Sequence, residues 1–278
     1  MVDGATLTDV SRYRCLGFLT DYGLEDGFVA VCHGVVMSIV PEARIVDVSH
    51  QVPPYDVRRG AMVLARSAPY LDPAVFVAVV DPGVGGDRRA VAVATESSVL
   101  VGPDNGLLLP AADLLGGVTS AVELDRDDLF LRPVSATFHG RDIFAPIAAR
   151  LLGGSALDDV GSPIDPDSLH RLPEPRVVEH ADGVDAEVVD VDHYGNVQLA
   201  VRWPALDVGE GDDVVIRVES GEHRIAVGRQ FTSVPSGAMV LYPDADARAA
   251  IAVNGGSAAG RLDVARGATV RLSRGPSD

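Results

Sequence analysis

The 278-residue chain contains no lysine: all 23 of its basic side chains are arginine. Schiff-base chemistry on a side-chain amine and the phosphate-cradling lysine of a P-loop are therefore excluded. Cysteine is nearly absent as well. Cys15 and Cys32 are too few and too badly spaced for a zinc knuckle or a disulfide scaffold, and they read as small core hydrophobes in a reducing cytosol. No segment approaches the ~18 uninterrupted apolar residues of a membrane-spanning helix. The first fourteen residues carry Asp3 and polar side chains where a signal peptide needs an apolar run, so a cytoplasmic chain is expected. Positive charge is also short. Asp and Glu number 40, the formal charge is -17, and a field of that sign repels phosphate backbones and anionic lipid. Nucleic acid and membrane surfaces are not expected partners. What remains is an ordinary globular composition, 47% hydrophobic and 23% charged, with enough length for about one and a half to two domains.

Two textures divide the chain. The first half alternates periods: a buried-strand run CLGFLT (15–20) and a polar-Gly loop at Asp21-Tyr22-Gly23 come first. Apolar residues at helical spacing then run from Glu25 to the stop at Pro41. A strand at 43–49, a helix at 56–68 and a strand at 74–80 complete a βαβαβ pattern, which implies a parallel sheet with right-handed crossovers. A hairpin-like strand pair and helical stretches near 107–115 and 141–152 follow. From Val184 onward the pattern is alternating strands separated by Gly, Asp and Ser turns. The expected architecture is an α/β N-terminal domain (1–172), with a mainly parallel central sheet flanked by helices, and a smaller all-β C-terminal domain (178–278). The Pro-rich stretch 163–176 is the link.

Three loop segments carry residues suited to chemistry. In VVDPGVGGDRR (79–89), Pro82 and the glycines let the backbone approach a ligand while Asp81 and Arg88 stand at the mouth of the sheet; a Gly-rich turn with a surface ion pair fits the same letters. TFHGRDIFAP (137–146) places His139 and Arg141 before a helix, where a lone structural histidine is the plain alternative. VDHYGNVQL (191–199) groups Asp192, Tyr194 and Asn196 around Gly195, and a simple hairpin turn reads equally well. Open α/β sheets bind ligands beyond the carboxyl ends of their strands, where Asp21 and Asp81 both fall. His33, His50 and His139 form no HExxH or comparable spacing.

Taken in order, FLTDYGLEDGFVA, VDVSHQVPPYDVRRGA, VVDPGVGGDRR, GPDNGLL, TFHGRDIFAP and DHYGNVQL resemble the S-adenosyl-L-methionine (SAM) hydroxide adenosyltransferases, relatives of fluorinase and chlorinase, over residues 15–260. The resemblance implies a fluorinase-like fold and hydrolysis of SAM to adenosine and L-methionine without cofactor or metal. It also implies a homotrimer with sites at subunit interfaces, between one subunit's N-terminal domain and its neighbour's C-terminal domain. The catalytic set it implies is Asp81, Arg88 and His139. Asp21 corresponds to the carboxylate that accepts from both ribose hydroxyls, with Asp26 nearby, and Tyr55 to an aromatic wall. Asp192 corresponds to the acid pairing with the methionine ammonium. Tyr194, Asn196, Phe231 and the backbone at Val253 and Gly255 fall at adenine-contacting places.

The departures from the family pattern matter equally. PDADAR (243–248) lacks the serine of the turn that holds the methionine carboxylate, leaving backbone amides or Arg248 to replace it. Asp81 replaces a halogenase tyrosine, the segment before GPDNG is short, and Gly140 stands at the halide-binding serine of fluorinase. Water is therefore the expected nucleophile. A chlorinase, a non-catalytic SAM- or adenosine-binding module and a metal-dependent hydrolase are the competing readings.

Overall fold

The computed structural model describes residues 12–275. The chain divides into two compact units, Met1–Leu172 and Pro173–Asp278.

The first unit runs β1 (Leu16–Thr20), α1 (Phe28–Ile39), β2 (Ile45–Ser49), α2 (Val57–Leu71), β3 (Val75–Val79), β4 (Ala90–Ala94), β5 (Val99–Pro103), α3 (Leu109–Leu114), β6 (Ser120–Glu123), α4 (Ala145–Leu152) and β7 (Ser162–Ile164). Its strands form one sheet in the order β2-β1-β3-β5-β4-β6-β7. The pairs among β2, β1, β3 and β5 are parallel, whereas β4 and β7 run against their neighbours. LGFLT and VFVAV are buried along their whole length, as central strands covered on both faces must be. On one face Val29, Cys32 and Val36 of α1 share a core with Ile147 and Leu151 of α4. On the other, Ala61, Leu64 and Ala68 of α2 pack with Ala111 and Ala112 of α3. The Asp56 side chain accepts from the Arg59 amide at 2.9 Å, a cap worth about 1 kcal/mol that starts α2 directly after the PPY segment.

The second unit comprises β8 (Val177–His180), β9 (Gly183–Val191), β10 (Val197–Arg202), β11 (Asp213–Val218), β12 (Gly221–Val227), β13 (Met239–Pro243), β14 (Arg248–Val253), α5 (Ala258–Leu262) and β15 (Thr269–Arg274). The sheet order is β10-β14-β13-β12-β11-β15-β9-β8, and β9 also pairs with β10. Seven strands thus close into a barrel-like ring and β8 lies outside it on β9. Closure removes the exposed edges that an open antiparallel sheet leaves. Inward-facing Val188, Leu199, Ile216, Leu241, Ile251 and Val270 fill the ring.

Candidate functional site

β1 and β3 are parallel neighbours, so the loops leaving their carboxyl ends emerge side by side, bringing Asp21 and Asp81 to one edge of the sheet. The Asp21 carboxylate accepts the Tyr55 amide at 2.9 Å. Tyr55 has φ +68, a left-handed backbone that costs a residue with a Cβ about 1–2 kcal/mol, and its ring is 72% exposed. Burial raises the Asp21 carboxyl above its usual value; the Tyr55 amide opposes that and the nearby Asp81 charge adds to it. Asp26 lies on the exposed approach to α1.

Asp81 and Arg88 face each other across the Gly-rich loop. Arg88 donates through Nε to both Asp81 oxygens, at 3.2 and 3.0 Å, and through Nη2 at 2.6 Å. The same Nη2 lies 2.7 Å from His139 Nδ1. These side chains are 4% (Asp81) and 12% (Arg88) exposed, so the pair is not a surface ion pair. The Phe144 ring lies beneath the guanidinium, 5.4 Å from centroid to Cζ. Arginine has only donors, so His139 Nδ1 accepts and the neutral ring carries its proton on Nε2. Burial, then the Arg88 charge, lowers the His139 imidazole below its usual value, with Asp81 and Asp142 opposing. In that arrangement Arg88 engages His139 Nδ1, and Nε2 is a donor.

Gly85 explains why two segments 51 residues apart meet. It sits at φ +77, and a Cβ there would be 2.2 Å from the Ala136 carbonyl oxygen, so only glycine lets the 81–89 loop lie against 135–139. His139 then precedes a π-helical turn, Gly140–Phe144, that opens α4. Such turns concentrate at functional positions. Asp142 anchors this turn: fully buried, it accepts from Arg141 Nε at 2.6 Å and from the Ser135 amide at 2.8 Å.

Sequence reasoning passed over Tyr22. Its ring packs edge-on against Phe28 and Phe138, and a Cβ on Gly140 would be 2.1 Å from its hydroxyl. Burial pushes the phenol well above its usual value, with Cys32, Asp21 and Asp81 adding and Arg88 opposing. Asn105 was also missed; its Nδ2 donates to the Val80 carbonyl at 2.8 Å and ties the GPDNG loop to the end of β3.

The second unit holds its candidates in one turn and one neighbouring rim. Asp192 Oδ1 accepts the amides of Tyr194 and Asn196, both at 2.9 Å, and Oδ2 accepts Asn196 Nδ2 at 2.8 Å. Tyr194 is 76% exposed. Phe231 stacks edge-on with Tyr242 at 5.2 Å. Tyr242 is pushed up to about 12, first by burial and then by the charges of Asp192 and Asp244. Val253 ends β14, its carbonyl accepts the Gly256 amide at 3.1 Å, and Gly255 has φ +80. In PDADAR, Asp244 Oδ1 accepts the amides of Asp246 and Arg248 at 2.9 and 2.8 Å, while Arg248 Nη1 donates to the Ala200 carbonyl at 2.6 Å. The turn amides expected to replace the family serine are thus directed inward to Asp244.

The α/β unit and the barrel-like unit match the two domains of one family. Residues 16–161 match the SAM hydroxide adenosyltransferase N-terminal domain and 186–271 its C-terminal domain, and the chain belongs to this family. A relative from Salinispora arenicola named (R)-S-adenosyl-L-methionine hydrolase is 53% identical, covering 94% of this chain and 98% of its own. A fluorinase from Actinopolyspora mzabensis is 25% identical over 96% of this chain and 100% of its own. The crystal structure of an uncharacterized conserved protein from Thermotoga maritima superposes with a TM-score of 0.87 at 38% identity, covering 93% of this chain and 100% of that one.

Proposed function

We propose that the chain hydrolyses SAM, in the (R)-sulfonium form that the Salinispora relative's name specifies, to adenosine and L-methionine. The observation that carries the chemistry is Arg88 held between Asp81 and His139 beside Asp21. In this reading the oxygen of water bonds to C5′, the C5′–S bond breaks with its electron pair going to sulfur, and one proton leaves the water. Asp81 takes that proton. Arg88 stabilises the developing hydroxide, and His139 fixes the guanidinium. The sulfonium is already a good leaving group, so positioning and dehydration of the nucleophile set the barrier, and neither metal nor cofactor is part of the reading. Asp21 accepts the ribose hydroxyls with Asp26 nearby and Tyr55 as a wall, while Asp192 pairs with the methionine ammonium. Tyr194, Asn196, Phe231, Val253 and Gly255 contact the adenine. A cytoplasmic homotrimer belongs to the same reading. Tyr22 supports water over halide, because its hydroxyl occupies the space a side chain at position 140 would need.

Turnover of SAM in oxygen-18 water tests this directly. Label is expected in the 5′-hydroxyl of adenosine and absent from methionine. A 5′-chloro nucleoside formed in chloride overturns the choice of nucleophile. Tight SAM binding without products favours the second reading, a binding module, which the inward-directed amides of the 243–248 turn support.

His139 also fixes the acid side of the pH profile. The ring accepts from Arg88 only when neutral, and its environment lowers its affinity for a proton. As pH falls the unfolded chain binds that proton first, so this group's contribution makes stability rise with pH up to about 6.5 and decline below it. The acid limb that His139 contributes to kcat/KM is expected below about 6.5 and is expected to vanish in His139→Gln. A His139-dependent limb centred above that value contradicts the assignment.

A further inference from the structure

We propose that His33, Asp47 and His50 form a site for one divalent transition-metal ion of the zinc class, sharing no residue with the Asp81–Arg88–His139 cluster. His33 comes from α1, Asp47 from the edge strand β2, and His50 from the residue after that strand. Their ligand atoms all lie within 4.8 Å of one another, and no other such group occurs among the described residues. His33 Nε2 and His50 Nε2 are 2.9 and 3.0 Å from the same atom, Asp47 Oδ1. Tetrahedral ligands at zinc bond lengths stand about 3.3 Å apart, so the two contacts to Asp47 Oδ1 are within a few tenths of an ångström of ligand spacing, and the two imidazole nitrogens lie within 4.8 Å of each other. Two imidazoles and one carboxylate suit zinc, cobalt or nickel rather than calcium or magnesium, which take oxygen ligands.

A plain hydrogen-bonded network explains only half of this cluster. The His33 contact has hydrogen-bond geometry, but His50 Nε2, on a side chain 2% exposed, has none despite its 3.0 Å approach to Asp47. A buried ring nitrogen without an aligned partner calls for an explanation, and a ligand bond supplies one. The other face of the ring is already built for that role. His50 Nδ1 is 2.8 Å from Thr20 Oγ1, which has a second lone pair for the Tyr22 amide at 3.2 Å. With Nδ1 donating to Thr20, the Nε2 lone pair is free for metal, the outer-shell pattern typical of ligating histidines. Phe18 fixes both imidazoles, with ring centroids 5.7 Å from His33 and 4.9 Å from His50. Asp47 and His33 side chains are 45% and 24% exposed, which gives an ion an entry path and room for water ligands.

The full chain, freed of metal by chelator and then of chelator, is titrated with Co²⁺ for its visible d–d bands and with Zn²⁺ by calorimetry. One equivalent is expected, with a thermal midpoint that rises with Zn²⁺ concentration. His33→Gln and Asp47→Asn, both at partly exposed side chains, are each expected to weaken binding at least about 10-fold while circular dichroism stays unchanged. No bound equivalent, or one that binds equally tightly in both variants, overturns the site.

Discussion

Asp81→Asn is expected to lower turnover by about 10²–10⁴-fold, the scale of positioned general-base catalysis, while adenosine binding persists. The substitution keeps the shape of the side chain and removes its charge. Both Asp81 oxygens accept from Arg88 in the folded chain. An amide can present one oxygen to that fork but turns two N–H groups towards donors, and it cannot take a proton from water. Arg88 then loses its buried counter-charge, and its bond to His139 Nδ1 is left as the main tie across the site. Adenosine and methionine formation, followed by chromatography, reports the chemical step, and calorimetry with adenosine reports the binding step. Turnover equal to the parent's in a variant that still binds adenosine removes Asp81 from the mechanism.

Gly85→Ala, at a residue with no side chain to contact substrate, is expected to cost about 2–4 kcal/mol of stability and about 10²-fold in turnover. The backbone term comes from φ +77, and the steric term from an added Cβ 2.2 Å from the Ala136 carbonyl oxygen. Relief of that clash requires the 81–89 loop and the 135–139 segment to separate, so Arg88 and His139 cannot both keep their 2.7 Å contact. Gly34→Ala is the control, because an added Cβ there meets nothing within 4 Å. Thermal unfolding and turnover measured side by side distinguish the outcomes. A fully active Gly85→Ala variant with a parental melting point shows that the loops are not held together at this position.

Periodicity made the βαβαβ half legible because its central strands are unbroken apolar runs and its helices carry clear stripes. The seven ring strands were legible as short apolar stretches between Gly, Asp and Ser turns: β9, β11, β12 and β15 alternate, whereas β10, β13 and β14 are nearly continuous buried runs. β8 (VVEH) escaped notice since it pairs only along one side and is mostly exposed. α5 is too short, at five residues, to show a helical period. The sheet's direction was only partly legible, as β4 and β7 are antiparallel additions whose sense no local pattern fixes. Asp81, Arg88 and His139 stood out as polar residues in Gly-rich loops, but nothing local predicts that Arg88 would seize the Nδ1 of a histidine 51 residues away. Tyr22 looked like part of a turn. Its importance comes from Gly140 and Phe138, contacts that exist only after α1 and α4 pack on the same face.

The closeness of Tyr22 to Gly140 bears on how a water-using member and a halide-using one could interconvert by successive mutation. A serine arriving alone at 140 would place its Cβ 2.1 Å from the Tyr22 hydroxyl. A side chain at 140 is therefore expected to be accommodated only with a matching change at Tyr22 or a shift of the loop that carries it.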